Sequence, residues 1–549
     1  MRSLMLLMAV DVLAQPPARF GVGMVERKLA LAETIETALK NNLEIEIERT
    51  NVALAGQAAR AARGAFDGLF RYSPSGEVRN TPTSSSLISA SGKLEENFML
   101  HNLSYLQKLA WGASLNGFFE NNRSSTNNPF TGLTPFLVSR LGATFTQPLW
   151  RNRQTDRDRA EIRIRSKNLN VSQSDLELRV IDVVVRAELA YWDLVAARQN
   201  VRVAEEAVGV AREQVARAQR MIDQGTLAPI ELSAADAELQ RRLDTYYSSL
   251  GIVTQAENQI KSLITASRSD EIWNDALIPV DETAPAMVAG DVREAVNEAI
   301  RKRPEFRSLD LRRETNDIQQ ELARDQMKPQ LNFAAGYYST GLAGVRAASG
   351  DNAFTQSNAL IYQRLNQLSA QSGLAPVTPP SFGSAPGMLV GSYGTTLSNL
   401  FGGSYQTIQL GLSLDWNVRN RAAEASLAQT VIGERRLKLE RTRLEQAVEV
   451  QVRNAMQEIE TARQRITAAQ ASAKAAKEKL DSETRLFQVG ESTNFFVLTR
   501  QNEYTDSLRR VVLAKLDLNR ALVRLHLATG ETLKAHKISA PGAPGTFIP

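Results

Sequence analysis

The chain has no cysteine among its 549 residues. This absence excludes disulfide bonds, thiolate metal sites, cysteine nucleophiles and an acylated cysteine anchor. Histidine is almost as rare, since His101, His526 and His536 are the only three. The sequence has no HExxH spacing and no Walker loop, and Gly21-Val22-Gly23 is only a fragment of a dinucleotide-binding motif. We therefore expect no catalytic residues, no cofactor and no metal site.

Long apolar segments are also absent. No stretch after the first residues approaches the roughly 20 apolar residues of a membrane-spanning helix, so a membrane location would require a barrel of strands. Residues 1–14 combine one positive charge, a short apolar segment and Val12-Leu13-Ala14 as a cleavage site, which predicts an export signal, with a disordered start as the alternative. The 65 basic and 60 acidic residues are interleaved and give a net charge of +5, so we expect no nucleic-acid partner.

Two long segments contain almost no helix-breaking residue, and each folds back at a glycine. Gly225 and Gly490 are the turn glycines, and their offset of 490 − 225 = 265 also aligns Arg198 with Arg463 without a gap. Apolar residues recur at spacings of three and four on both sides of each turn, which is typical of antiparallel coiled coils. One such hairpin alone could belong to an ordinary helical bundle. Two matched copies indicate an internal duplication.

The predicted helices are unusually long. Trp150 lies 225 − 150 = 75 residues before the first turn, and Trp416 lies 490 − 416 = 74 residues before the second. At 1.5 Å per residue this corresponds to about 110 Å of helix. No compact domain of this size needs such a length, whereas a conduit across a periplasm does.

Strand patterns precede both long helices. Ile408, Leu410, Leu412 and Leu414 alternate with small or polar residues, and residues 140–149 alternate in the same way up to Pro148 and Trp150. This is the lipid-facing and lumen-facing alternation of a membrane strand. Incoming partners are predicted at residues 112–119 and 331–338, with a further strand pair possible within 71–109. A soluble β-sandwich is the alternative, but it leaves the helices unexplained.

These patterns divide the chain into five parts. We expect an export signal at residues 1–14, a first repeat at 29–264, a linker at 265–290, a second repeat at 291–530 and a C-terminal tail at 531–549. Each repeat is predicted to contain a leading helix (30–63 and 291–324), strands and a long hairpin. Polar loops are expected at 120–134 and 339–404, outside the cell.

The chain resembles the TolC-like outer-membrane efflux proteins from Leu29 to about Gly530. The resemblance depends on the Thr146-Gln147-Pro148-Leu149-Trp150 junction, the Ala190-Tyr191-Trp192-Asp193-Leu194 segment, the duplicated hairpin and the Val489-Gly490-Glu491-Ser492-Thr493-Asn494 turn. It implies a mainly α fold with a membrane β-barrel portion. Three chains would each supply four strands to a shared 12-stranded barrel and their helices to a coiled-coil α-barrel.

The resemblance also assigns roles to the turns. Gly225, Thr226, Val489, Gly490, Ser492 and Thr493 are expected to dock a periplasmic adaptor. The tyrosine, arginine and aspartates that close many family members correspond here to Phe487, Ser492, Phe496 and Thr499, so that lock is not carried over. We expect a more apolar gate formed by Phe495 and Phe496, with Glu231 as the remaining charge. Both rings packed between helices is the alternative.

The predicted function is a passive duct in the outer membrane with a periplasmic extension. Its partners would be a periplasmic adaptor, an inner-membrane transporter and outer-membrane lipid, and its cargo small toxic compounds. Type I protein secretion is an alternative within the same class. A coiled-coil envelope scaffold without a pore is the alternative from another class, and it would need no alternating strands.

Overall fold

The computed structural model describes residues 19–539, apart from residues 20, 24, 86–87, 90, 226–227, 282–289, 348–352 and 379–384. The predicted export signal and Thr226 lie outside the described residues. The described chain forms two compact units. The first comprises residues up to 57, 167–314 and from 434 onward, and the second comprises residues 58–166 and 315–433.

Helices occur in two similar sets, as the duplication predicted. In chain order they are α1 (Leu31–Asn41), α2 (Leu43–Arg63), α3 (Arg157–Asp223), α4 (Pro229–Ile264), α5 (Val292–Lys302), α6 (Pro304–Gln326), α7 (Ala353–Gln371), α8 (Tyr393–Phe401), α9 (Arg421–Gln488), α10 (Asn494–Thr529) and α11 (Thr532–Ala535).

The leading helix of each repeat is broken once, where the sequence predicted a continuous helix. The breaks lie at Asn42 and Arg303, an offset of 303 − 42 = 261, with nearly the same φ and ψ of −68° and 123° and of −70° and 127°. Pro304 disfavours helical geometry at the residue before it. In the first copy, the Asn42 Oδ1 accepts a hydrogen bond from the Glu44 N–H at 2.9 Å, which caps α2. The duplication therefore extends to the backbone, although different residues produce each break.

The two long helices confirm the main prediction. Helix α3 has 67 residues and α9 has 68, which corresponds to about 100 Å each. Both begin later than the tryptophans suggested, because an irregular segment follows each strand. In the first copy Asn152 has a φ of 64°, and its N–H donates to the Asp325 Oδ2 at 2.6 Å. Among the described helices, none combines the length and hydropathy needed to cross a membrane.

The core of the first unit contains a small sheet that the sequence pattern did not predict. Strands β1 (Glu26–Leu29) and β6 (Ala276–Pro279) pair in parallel. The predicted linker therefore contains a buried strand, because Leu29 and Leu277 pack with Ile260 in the apolar core that α1, α3 and α4 build. The predicted tail likewise begins with α11, where Thr532 is buried.

Three buried polar side chains in this unit have hydrogen-bond partners. The Tyr191 hydroxyl donates to the Asp281 Oδ2 at 2.6 Å, and burial raises the pKa of Tyr191. Glu257 is fully buried and accepts bonds from Arg19 at 3.0 Å and Arg198 at 2.9 Å. Burial lowers the pKa of Lys261, which donates to the backbone oxygen of Trp273 at 2.9 Å. Pairing offsets the desolvation that these charges would otherwise suffer.

The second unit contains one sheet of six antiparallel strands. Its order is β2-β3-β4-β5-β7-β8, so every strand pairs with the next one in the chain apart from β6. The strands are β2 (Leu69–Pro82), β3 (Lys93–Lys108), β4 (Ser114–Thr126), β5 (Leu133–Pro148), β7 (Gln330–Arg346) and β8 (Gln406–Asp415).

The sheet is larger than the resemblance implied. The first repeat supplies four strands, since the possible pair within 71–109 exists as β2 and β3. Strands β4 and β7 extend beyond the predicted partners, so the expected loops 120–134 and 339–404 are shorter than predicted. The expected loop at 339–404 also contains helices α7 and α8. Helix α8 packs directly on β7 at Gly341, where a Cβ would lie 2.1 Å from the Thr396 oxygen, so only glycine allows this approach.

The register gives the sheet one apolar and one polar face. Directly opposed residues share a face, and on β7 and β8 the pairs Phe333 with Leu412 and Ala335 with Leu410 lie on the apolar side. The same face continues through Leu141 and Phe119, which oppose each other on β5 and β4. The opposite face carries Gln409, Gly411, Ser413, Thr144, Asn116, Glu120, Arg71 and Ser73.

This facing predicts the effect of a charge on β8. Leu412 is 70% exposed on the apolar face, so Leu412→Arg should cost about 2–4 kcal/mol near the bilayer midplane. Gly411→Arg is the matched control, because Gly411 is on the polar face and a Cβ there meets nothing within 4 Å. We expect Leu412→Arg to reduce the heat-resistant, membrane-inserted fraction on gels and Gly411→Arg to leave it near wild type. The reverse order would show that the apolar face is turned away from lipid.

Candidate functional site: the helical tips

The turn after α9 is a compact helix ending. The Gly490 N–H donates to the Phe487 oxygen at 3.2 Å, and the Glu491 N–H donates to the Leu486 oxygen at 2.9 Å. These two bonds form the Schellman motif, which requires a left-handed residue. Gly490 has a φ of 83°, and Gly225 after α3 has a φ of 67° and donates to the Ile222 oxygen at 2.8 Å. Both predicted turn glycines thus have a positive φ.

Apolar side chains project from the second tip. Val489 is 70% exposed, Phe495 is 68% exposed and Phe496 is 49% exposed. The two phenylalanine rings contact each other edge to face, with centroids 5.7 Å apart. Within the chain, they are therefore not packed between helices. Exposed aromatic side chains at a helical tip are available to a partner or to one another around an axis.

A buried polar contact joins the two hairpins just behind these rings. Asn494, the first residue of α10, is almost fully buried. Its Oδ1 accepts a bond from the Gln214 Nε2 of α3, and its Nδ2 donates to the Glu231 Oε2 of α4 at 3.4 Å. Further along, Arg242 of α4 donates to the Asn502 Oδ1 of α10. The positions of the phenylalanines are thus set by side-chain bonds from the other hairpin.

The second tip also has a polar recess of about 410 Å³ beside Phe496, lined by Glu483, Glu491, Ser492, Thr493 and Arg500 among others. The Ser492 hydroxyl donates to Glu483, and the Arg500 guanidinium lies 3.9 Å from the same carboxylate and 2.9 Å from that of Glu503. The recess combines both signs of charge with open backbone at the turn. It can therefore accept polar groups from a partner surface.

The predicted site residues fall into two groups in the structure. Gly225, Val489, Gly490, Ser492 and Thr493 lie in the turns, and Glu231, Phe495 and Phe496 lie in the first turns of α4 and α10. Pro148, Trp150 and Trp416 instead lie at the strand-to-helix junctions of the second unit, where both tryptophans are exposed.

Sequence reasoning missed Asn494, Gln214 and Arg500. Asn494 directly follows Thr493, the N-cap residue of α10, and its long-range bonds leave no local sequence pattern. Gln214 is a buried amide beside the apolar seam residues Ala211 and Val215. The position of Gln214, a polar residue next to an apolar helix seam, was the only sequence signal for this contact.

Comparison with known proteins shows what the chain is similar to. Residues 387–531 match the family model described as outer membrane efflux protein. The outer-membrane channel OprN has the same fold, with a TM-score of 0.61 at 14% identity, over 91% of this chain and 90% of that one. The Campylobacter jejuni CmeC outer membrane channel has a TM-score of 0.59 at 14% identity, over 92% of this chain and 88% of that one. The open state of the Neisseria gonorrhoeae MtrE channel has a TM-score of 0.58 at 13% identity, over 92% of this chain and 89% of that one. No curated protein sequence matches the chain.

The chain therefore shares its fold with these solved outer-membrane channels. The family match, which includes α9, the second tip and α10, confirms the predicted resemblance to outer-membrane efflux proteins. This family is one of channels rather than of enzymes.

The buried amide yields a prediction about the tip. Asn494→Leu keeps a similar volume but leaves Gln214 and Glu231 without their partner, which should cost about 1–3 kcal/mol. Hydrogen exchange of residues 489–500 should become roughly 5- to 150-fold faster, measured by mass spectrometry on the intact protein. Gln488→Leu is the control, since Gln488 is an exposed amide at the same tip. Equal exchange in both variants and wild type would contradict a locking role for Asn494.

Proposed function

We propose that the chain forms a trimeric, passive exit duct in the outer membrane. In this function it receives small toxic compounds from a periplasmic adaptor and an inner-membrane pump. The observation that carries the proposal is the combination of a sheet that has one apolar and one polar face with two helices, α3 and α9, that are each about 100 Å long. The sheet suits lipid on one side and water on the other, and the helices have the length of a periplasmic conduit.

The connections of the sheet support the orientation. Helices α2 and α6 lead into β2 and β7, and α3 and α9 follow β5 and β8, so all four connections lie at one end of the strands. The described residues that join β2 to β3, β4 to β5 and β7 to β8 lie at the other end. Outer-membrane proteins have short periplasmic turns and longer extracellular loops, and the exposed Trp150 and Trp416 at the helical end match the interfacial aromatic girdle. The helical end is therefore the periplasmic one.

No catalytic step belongs to this proposal. Energy comes from the inner-membrane transporter, and the duct supplies a path. Detergent-extracted trimers that form conducting channels in planar bilayers, together with antibiotic sensitivity of a strain lacking the chain, would support it. A trimer without conductance would support an envelope scaffold. Loss of a secreted protein without drug sensitivity would indicate type I secretion.

The tips are the proposed adaptor-docking surface. Gly225 and Gly490 reverse the two hairpins, and three chains would present six such turns in a ring. Gly490→Leu places a side chain on a residue with a φ of 83°, which costs about 1–3 kcal/mol locally and covers the turn backbone. We expect export to be lost, measured as drug susceptibility, while the trimer remains on gels.

Leu486→Ala serves as the control for general effects at the end of α9. It should retain export, because it changes neither the turn backbone nor the exposed Val489. Loss of the trimer in Gly490→Leu would assign this glycine to folding instead of docking.

Phe495 and Phe496 are the proposed gate. A narrow ring of phenylalanines excludes water and blocks ions by dewetting. Replacing both with serine should raise single-channel conductance in bilayers and sensitise cells to large antibiotics. Glu231→Gln should change cation preference modestly, since three glutamates per trimer would be the nearest charge.

Val489→Ser is the matched control for the gate, because it removes an equally exposed apolar side chain from the same tip. Its conductance should stay near wild type. An electrostatic gate would be indicated if Glu231→Gln opened the pore while the double phenylalanine variant conducted like wild type.

A further inference from the structure

The sheet ends in two open edges. Every residue of β2 and every residue of β8 is exposed, whereas the strands between them are partly buried. Within the described chain, β2 pairs only with β3 and β8 pairs only with β7. Each edge therefore presents a row of unpaired backbone donors and acceptors.

Strands β2 and β3 continue the membrane face. Phe70 opposes Tyr105 and Tyr72 opposes Leu103, and Leu103 in turn opposes Phe119 of β4 on the apolar side. The polar side of β2 carries Arg71, Ser73 and Ser75, followed by Glu77 and Arg79, which pair with each other at 2.7 Å. This alternation is that of a membrane wall, so the added hairpin belongs to the wall and not to a loop.

Lipid does not tolerate open strand edges, because their backbone groups find no water there. The smallest membrane barrels need about 8 strands, and one chain supplies only six. Since the strands alternate in direction and their number is even, β8 of one chain is antiparallel to β2 of the next. A rotation that joins these two edges repeats until the ring closes.

We propose that β8 of each chain pairs with β2 of its neighbour, so that three chains close an 18-stranded barrel. The number rests on the proposed trimer, with 3 × 6 = 18 strands. Closure with 12 strands through three chains would require β8 to pair with β4, whose two edges are already occupied by β3 and β5. Barrel diameter grows about linearly with strand number, so the lumen would be about 1.5 times as wide as with 12 strands.

The dimensions of the edges are compatible. Strand β8 has 10 residues, which is the length of a tilted strand that crosses a bilayer, about 9–11 residues. Among the first ten residues of β2, Pro74 alone lacks an N–H donor. The junction thus loses at most one donor and keeps the remainder of the ladder.

Intermolecular disulfides test this pairing, and the absence of native cysteine makes each bond assignable. On the polar face, cysteine would replace Gln409, Gly411 or Ser413 of β8, each combined with cysteine at Arg71, Ser73, Ser75 or Glu77 of β2. Opposed strand residues are close enough for a disulfide. We expect disulfide-linked chains on non-reducing gels for only some of these cysteine combinations. In the combinations that link, the residue number on β8 and the residue number on β2 should add to the same total, as an antiparallel ladder requires.

The matched control combines the same β8 positions with cysteine at Asn116, Phe118 or Glu120 of β4, also on the polar face. No linkage is expected there. Full oxidation of the best β2 pair should give a closed species of three chains, whereas two chains would overturn the 18-strand count. Linkage to β4 instead of β2, or to neither strand in a conducting protein, would overturn the inference and leave the proposed duct intact. A protein that neither conducts nor links would reject the duct itself.

Discussion

Backbone hydrogen bonding is the constraint on which this structure depends. A helix satisfies its own amide groups, so α3 and α9 can extend for about 100 Å without neighbouring strands. A strand depends on its neighbours, and in lipid no water replaces a missing one. The sheet is therefore incomplete as a single chain, whereas the helices are complete except for their apolar seams. The proposed need for further copies of the chain comes mainly from the strands.

The duplication could be predicted from the sequence because its signals are local. Helical period, turn glycines and alternating strands each depend on neighbours a few residues away, and Gly225, Gly490 and the β8 alternation were assigned correctly for that reason. Helix breaks at Asn42 and Arg303 were missed because both copies remain apolar on one face across the break. Only Pro304 offered a local signal.

The remaining features depend on contacts between distant residues. Strands β1 and β6 have four residues each, too short for periodicity, and are stabilised by the core around Leu29 and Leu277. Asn494 lies 280 residues from Gln214, so nothing near either residue indicates their bond. The tip could thus be located from its glycines, whereas the side chains that hold it together could not.

The additional hairpin also shows what kind of change this fold permits. Strand β4 must begin at the helical end of the sheet, because β5 has to finish there and lead into α3. A single extra strand before β4 would start it at the wrong end. The pair of β2 and β3 returns the chain to the helical end, where the short turn at 109–113 leads into β4. Strands can therefore be added only in pairs. Such an addition widens the sheet without altering the helical hairpins, so that the width of the membrane portion and the chemistry of the tip can vary independently.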